Sequence, residues 1–341
     1  VLFGPGPEQM IGSESRMQGK ELSEHVPSEE TYIGIDVCKS HLDIHIHPCD
    51  ATWRVSNDRC GITAFLRRLA ALPVVVRLVV VEATGKWHRA VHRRLHEAGY
   101  DVAVVNPYRS RKLADALGHL AKTDAIDART LARFGQALRP RTTPPPPETV
   151  AALRELVAAR RAAVAEAGAL GNRLMTAEHG LVARQLRARI AMLKRHIQAM
   201  AISISDAIEA DPAMANLFHI LTSIPGVGSV AATTMIAELT ELGACSRTQI
   251  AALLGVAPMN WDSGAMRGRR IIKGGRAPLR AVLYMAAIAA VRCNPEISAF
   301  YERLKDRGKK PKLALTAVMR KLVILANTLV RENRSWLPDA P

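Results

Sequence analysis

Four carboxylates and one serine have the types and spacing to do chemistry on a phosphate. Asp36 lies in the apolar run Tyr32-Ile33-Gly34-Ile35-Asp36-Val37, and Glu82 stands near the end of VVVRLVVVEA. An acid inside an apolar strand is costly to bury unless it is paired or binds a cation. Asp124 and Asp127 are spaced i, i+3, which puts both on one face of a helix. Four oxygen donors brought together suit Mg2+, a hard ion that keeps water positions for a phosphate substrate. Taken singly, each acid has a plainer role: Glu82 could cap a helix, and Asp124 could pair with Lys122 or Arg129. Ser263 follows Asp262 in MNWDSGAMRGRRIIKGGR, directly ahead of Arg267, Arg269, Arg270, Lys273 and Arg276. A serine hydroxyl attacks a phosphate only with help for its proton and for the charge on phosphorus. The basic residues can supply the second, but no histidine is near enough in sequence to supply the first. A turn-forming serine after an aspartate remains the alternative.

Stepping outward, these residues need a frame. Tyr32 to Val37 reads as a strand, Leu42 to His47 alternates strictly as a second, and Thr52 to Val55 makes a third, joined by short turns. GITAFLRRLAAL then reads as a helix, VVVRLVVVEA as a fully buried strand, KWHRAVHRRLHEAG as a helix and YDVAVVNP as a strand, with further helix through Leu138. An antiparallel meander followed by alternating helix and strand describes a ribonuclease H-like α/β domain. Cys38, His41, His45, His47 and Cys49 are dense enough to suggest metal, but they fall on alternating strand positions, which favours a structural reading over zinc.

The proline run in LRPRTTPPPPET closes this domain near residue 145. Beyond it, Leu186, Ile190, Leu193, Ile197, Met200 and Ile204 step by alternating fours and threes, a heptad seam. Gly180 interrupts the pattern, so two helices forming a hairpin are expected, with the seam favouring dimerisation. Pro225-Gly226-Val227-Gly228 lies between two helical patterns and resembles a helix-hairpin-helix, in which Gly226 and Gly228 would let backbone N–H groups approach a DNA phosphate. An ordinary glycine turn is the alternative. Residues 255 to 275 read as a glycine-rich loop that carries Ser263, followed by the helix RAPLRAVLYMAAIAAV. The expected organisation is therefore α/β plus all-α: a leader at 1–30, a ribonuclease H-like domain at 31–145, a coiled-coil hairpin at 146–212 and a mainly helical domain at 213–335.

Charge and composition narrow the partners. The 341-residue chain carries a net charge of +16, and residues 265 to 334 hold 17 Lys and Arg against 4 Asp and Glu. So one-sided a patch costs self-repulsion unless a polyanion neutralises it, which points to nucleic acid. Five cysteines without a CxxC pair argue against a disulfide framework and a zinc ribbon. No apolar run approaches the roughly 20 residues of a membrane span, and residues 1 to 30 have no signal-peptide pattern. VLFGPG reads as an expression scar, with Met10 or Met17 nearer a natural start. A cytoplasmic, nucleoid-associated location is expected.

GIDVCKSHLDIHIHP, EATG at 82–85, KTDAIDARTLARF, SIPGVG and GVAPMNWDSGAMRGRRIIKGGRAPLRAVLYMAA, in this order, resemble the IS110 insertion-sequence transposases. The resemblance runs from about residue 31 to 335. It implies a RuvC-like domain in which Asp36, Glu82, Asp124 and Asp127 are the acidic, magnesium-binding set, and a transposase domain in which Ser263 is a nucleophile that becomes linked to DNA. It further implies donor and target DNA as substrates, a noncoding bridge RNA whose loops pair with both, and a homo-oligomer, dimer or tetramer. Delegating sequence choice to base pairing suits a chain with only 4% aromatics. The resemblance extends to pilin-gene inverting recombinases, so a protein-only invertase is the second reading. A catalytically inactive nucleic-acid-binding protein is the third.

Overall fold

The computed structural model describes residues 30–118, 124–260, 262–264, 266–268 and 270–337. Two units divide at Pro145/Pro146, inside the proline run.

The first unit is built on a five-stranded sheet: β1 (Thr31–Val37), β2 (His41–His47), β3 (Ala51–Ser56), β4 (Val76–Glu82) and β5 (Val102–Val105). Its order is β3-β2-β1-β4-β5, with β1, β2 and β3 antiparallel and with β4 parallel to both β1 and β5. The helices between the later strands are α1 (Arg59–Ala70) and α2 (Arg89–Glu97), followed after β5 by α3 (Pro107–Ala116) and α4 (Asp124–Leu138). Local chemistry starts two of them: the Asp58 carboxylate caps α1 by accepting from Gly61 N, and Asn106 caps α3 ahead of a proline whose fixed φ suits a first turn.

Strand alternation sorts the side chains onto two faces. Ile33, Ile35, Val79 and Val81 meet Phe65, Leu69, Val91 and Leu95 of α1 and α2. Tyr32, Leu78, Val80 and Val105 meet Leu131 and Phe134 of α4. On this second face a methyl group at Gly34 would stand 2.0 Å from the Ala128 carbonyl oxygen and 2.4 Å from the Ala132 nitrogen. Gly135 of α4 repeats the device from the other side, against Val80 and Tyr32. Helix α4 therefore lies directly on the strand backbone.

The second unit is mostly helical. Helices α5 (Glu148–Met175) and α6 (Gly180–Glu209) form a long hairpin, followed by α7 (Pro212–Thr222), α8 (Ser229–Glu238), α9 (Arg247–Leu254), α10 (Ala277–Cys293), α11 (Pro295–Asp306) and α12 (Pro311–Arg331). The heptad residues Leu186, Ile190, Leu193, Ile197 and Met200 pack against Ala163, Ala167 and Leu170 of α5. Part of the seam expected to favour a dimer thus packs within the chain, against a small apolar stripe on the other arm of the hairpin, while Leu186, Ile190, Ile197 and Met200 stay partly exposed. At the base of the hairpin, Leu153, Val157, Ile204 and Ile208 join the main core of this unit.

Helix α12 is long and apolar enough by length and composition to cross a bilayer, contrary to the sequence expectation. Val318, Met319, Leu322, Val323, Ala326 and Leu329 nevertheless face the core. The buried Asn327 of this helix accepts from Gly243 N (2.9 Å) and donates to the Cys245 carbonyl (2.9 Å), tying α12 to the segment that leads into α9.

Replacing Gly34 by alanine is expected to destabilise the protein by about 3 kcal/mol or more, the upper end for overpacking, because the methyl meets backbone that cannot move aside. Gly180→Ala, which meets nothing within 4 Å, is the control expected to be close to neutral. Denaturant midpoints measure both.

Candidate functional site: an acid face and a serine hairpin

Asp36 stands on β1 two residues beyond Gly34, and so on the face that α4 covers. In the parallel register Ile35 pairs with Val81, so Asp36 and Glu82 follow as the next residues of adjacent strands. The two carboxylates reach the same face at the carboxyl ends of β1 and β4. Asp36 Oδ1 accepts from the next backbone N–H, Val37 N, at 3.0 Å. Glu82 Oε2 accepts from the hydroxyl of Ser110, a buried α3 residue, at 2.6 Å. Sequence reasoning did not find Ser110 as the partner of Glu82, since one serine in a polar helix carries no signal of its own.

Asp127 precedes Ala128, the residue whose carbonyl rests on Gly34, so the glycine contact also brings the start of α4 towards Asp36. Asp124 opens α4, one turn earlier, and its side chain lies outside the described residues. Hard oxygen donors suit Mg2+ in kind. Among the described residues, no three His, Cys, Asp or Glu side chains stand close enough together to hold a metal ion.

His45 is buried; its Nδ1 is 3.2 Å from the Thr52 hydroxyl and its Nε2 is 3.4 Å from Asp50, while Cys38 and Cys49 are exposed. Burial pushes the His45 pKa down, with the Arg129 charge adding to that, so the ring is neutral near pH 7. Asp43, on the same strand, is a buried acid held by Arg54.

Ser263 belongs to the second unit. Where the sequence reads as a glycine-rich loop, two short antiparallel pairings are nested: β6 (Pro258–Met259) with β9 (Ile271–Ile272), and inside them β7 (Asp262–Ser263) with β8 (Met266–Arg267). Ser263 is exposed opposite Met266, beside the turn at Gly264 with its φ of 54°. The Asp262 carboxylate does not face its neighbour's hydroxyl in a hydrogen bond but accepts from Gly268 N at 3.1 Å, closing the hairpin on itself. The base of this arm is fixed where two glycines cross: a methyl group on Gly275 would stand 2.2 Å from Gly255 N. Gly255 also ends α9 in the left-handed conformation, φ 79°, that glycine adopts without strain.

The basic residues around the arm divide by employment. Arg270 and Lys273 are exposed, Arg269 lies outside the described residues, and the Arg267 side chain is likewise undescribed. Arg276, expected among the nucleic-acid contacts, is committed to the fold instead. It forks Glu241 at 2.6 and 2.8 Å and donates to the Glu238 carbonyl at 2.6 Å. Near Ile272, a groove of about 410 Å³ is lined in part by Arg280, Tyr284, Lys312 and Met319. Arg307, Lys309, Lys310 and Lys312 are all exposed around the turn from α11 to α12.

Gly226 and Gly228 also separate. Gly226 has a φ of 97°, and a methyl there would meet Ala290 of α10 at 2.5 Å. The close approach this glycine permits is to the protein's own helix. Gly228 caps α8 and has open space where a side chain would be.

Residues 33–177 match a family described as "Transposase", of the DEDD type of IS110, and residues 218–302 match the family described as "Transposase IS116/IS110/IS902 family". A "Pilin gene-inverting protein" of Moraxella bovis is 26% identical over 325 residues, covering 90% of this chain and 98% of that protein. The counterpart of the same name in Moraxella lacunata is also 26% identical with the same coverage. The "Insertion element IS110 uncharacterized 43.6 kDa protein" of Streptomyces coelicolor is 25% identical over 163 residues, 47% of this chain and 39% of that protein.

The Arg276–Glu241 pair makes a pH prediction. Burial alone would raise the Glu241 pKa, but the hydrogen bonds and charge of Arg276 outweigh it and hold the carboxyl below its ordinary value of 4.5. A depressed pKa contributes stability above the unfolded value and loses it as pH falls through the folded one. Arg276→Gln is expected to cost about 1 kcal/mol at pH 7, low for a charged hydrogen bond because both groups are about a third exposed. The difference from wild type should shrink below about pH 4, which urea unfolding at pH 7 and pH 3.5 checks.

Proposed function

We propose, taking as premise that the chain is a transposase of the IS110 family, that it cuts and rejoins DNA strands through a phosphoserine at Ser263, with Asp36, Glu82, Asp124 and Asp127 as the metal-binding set. The membership makes the protein a DNA recombinase or transposase; the residue roles and the guide are the proposal. The observation that carries it is the adjacency of Asp36 and Glu82 at the ends of neighbouring parallel strands, under a helix whose first turn bears the other two acids. The strand order β3-β2-β1-β4-β5 supports a ribonuclease H-like reading of this unit. The α7–α8 turn supports a helix-hairpin-helix reading of the segment that precedes the serine arm.

In this mechanism the Ser263 Oγ attacks phosphorus and the bond to one sugar oxygen breaks, so the strand stays joined to the protein. The phosphodiester energy is conserved in the O–P bond, and a sugar hydroxyl from the exchanged strand attacks in turn to release the serine. Mg2+ held by the four acids would supply charge neutralisation at the phosphate. Ser110 orients Glu82 through its hydroxyl. Arg270, Lys273 and the exposed cluster Arg307 to Lys312 offer the backbone contacts, with Arg267 and Arg269 proposed alongside them. Gly228, at the open start of α8, is the better placed of the two hairpin glycines for a phosphate contact.

A bridge RNA that pairs with donor and target is proposed as the source of sequence choice, supported by the scarcity of aromatic side chains for base stacking. The second reading, a protein-only invertase, is favoured by the near full-length similarity to proteins named for pilin gene inversion. Purifying the protein with its flanking DNA transcribed alongside, then sequencing bound RNA, separates the two. One structured RNA complementary to both DNA partners supports guidance, and DNA binding with no specific RNA supports the invertase.

With that flanking DNA and Mg2+, the wild type is expected to form a protein–DNA adduct that survives boiling in detergent, and Ser263→Ala to lose it while retaining DNA binding. An adduct persisting in Ser263→Ala would end the serine assignment. Ser110→Ala should lower the cleavage rate roughly 10- to 100-fold, as loss of an orienting partner does, and Asp36→Asn by more.

A further inference from the structure

We propose that Arg54, held in place by Asp43, is a phosphate-binding residue of the acid face and grips a phosphodiester of the DNA strand brought to Asp36 and Glu82. The proposal rests on the reading of Asp36 as part of the reactive set.

The sheet register puts the residues in one row. Asp36 is the cross-strand partner of Asp43, and Asp43 is the partner of Arg54. Partners in an antiparallel ladder share a face, so all three side chains rise on the same side of the sheet. With strands about 4.8 Å apart, the Arg54 backbone is roughly 10 Å from that of Asp36. The side chain closes half of that distance: Nε reaches Asp43 Oδ1 at 2.8 Å and Nη2 reaches Oδ2 at 3.0 Å. The guanidinium is therefore held at the β2 carboxylate, about one strand spacing from β1, which carries Asp36. His41 Nε2 lies 3.2 Å from the same carboxylate.

The exposure of the pair is lopsided. The Asp43 side chain is 6% exposed and the Arg54 side chain 60%. A buried ion pair is weak support for stability by itself, since desolvation offsets most of the attraction. A buried carboxylate that forks an exposed arginine does something else: it fixes the direction of a planar cation with five N–H donors before any ligand arrives. Such a cation answers a need of this site. Clustered carboxylates repel a polyanion, and a preorganised positive group at their edge lets a phosphodiester come within reach.

The experiment uses the full chain, as purified with any RNA it carries, and a fluorescein-labelled duplex of the DNA flanking its gene. Anisotropy titrations over a KCl series give the slope of log K against log salt. Arg54→Gln is expected to reduce the steepness of that slope by about 0.9, one duplex phosphate contact, while Arg54→Lys keeps it. Asp43→Asn should weaken binding with the slope retained, because the charge remains but its aim is lost. An Arg54→Gln protein that melts earlier yet keeps the wild-type slope would make the pair purely structural and overturn the proposal. Phenylglyoxal labelling of the wild type, read by mass spectrometry, needs no variant to fold: Arg54 should be protected several-fold by the duplex, and equal labelling with and without DNA sinks the idea. Neither readout requires strand cleavage, so failure of the serine chemistry and failure of this contact are told apart.

Discussion

Removal of a single side chain, at Gly34, governs the geometry of the first unit. Because no atom projects from β1 at that position, the carbonyl of Ala128 and the nitrogen of Ala132 occupy the space a methyl would take, and α4 rests on the strand itself. Depth of contact then determines position. The first turn of α4, with Asp127, is drawn to the level at which Asp36 leaves the strand, and Leu131 and Phe134 are pressed among Tyr32, Leu78 and Val80. Gly135 does the same against Val80 and Tyr32 from the helix side. Two glycines thus act as spacers of zero thickness between α4 and the sheet.

The second unit applies the same economy to its exposed serine. A hairpin only two residues deep on each side has too few ladder bonds to hold itself. Its ends are instead pinned by the crossing of Gly255 and Gly275 and by Arg276, whose backbone N–H donates to Leu253 and whose guanidinium grips Glu241 and the Glu238 carbonyl. Rigidity at the root and exposure at the tip are what the role proposed for Ser263 would require. The cost is that a basic residue in an arginine-rich stretch of the sequence is spent on architecture.

Much of this was legible in the sequence, for reasons that can be named. Strict alternation in Leu42 to His47 and the valine triplets at 74–76 and 79–81 are strong strand signals, so strands and their acids could be placed. The break near Gly180 likewise announced a hairpin. What escaped were relations that depend on which surface meets which. The partner of the heptad seam is a stripe of alanines and one leucine on α5, too plain a pattern to reveal itself. Gly226 and Arg276 sit in sequence contexts that suggest DNA, yet their neighbours Ala290 and Glu241 lie 64 and 35 residues away. Asp43 could have been found: a short turn after Val37 places it directly across from Asp36, and only the attention given to the surrounding histidines concealed it.

Asn327 carries a consequence for the order of events in a cell. Its amide satisfies the Gly243 N–H and the Cys245 carbonyl, the latter 82 residues earlier, and α12 supplies the wall against which α7, α9 and α10 pack. Helices α9 and α10 flank the serine arm, so the arm cannot gain its footing until α12 has been synthesised. The first unit contains its own core and can form as it leaves the ribosome. In a nascent chain the carboxylates of the first unit can therefore fold well before the arm that carries Ser263 has its support.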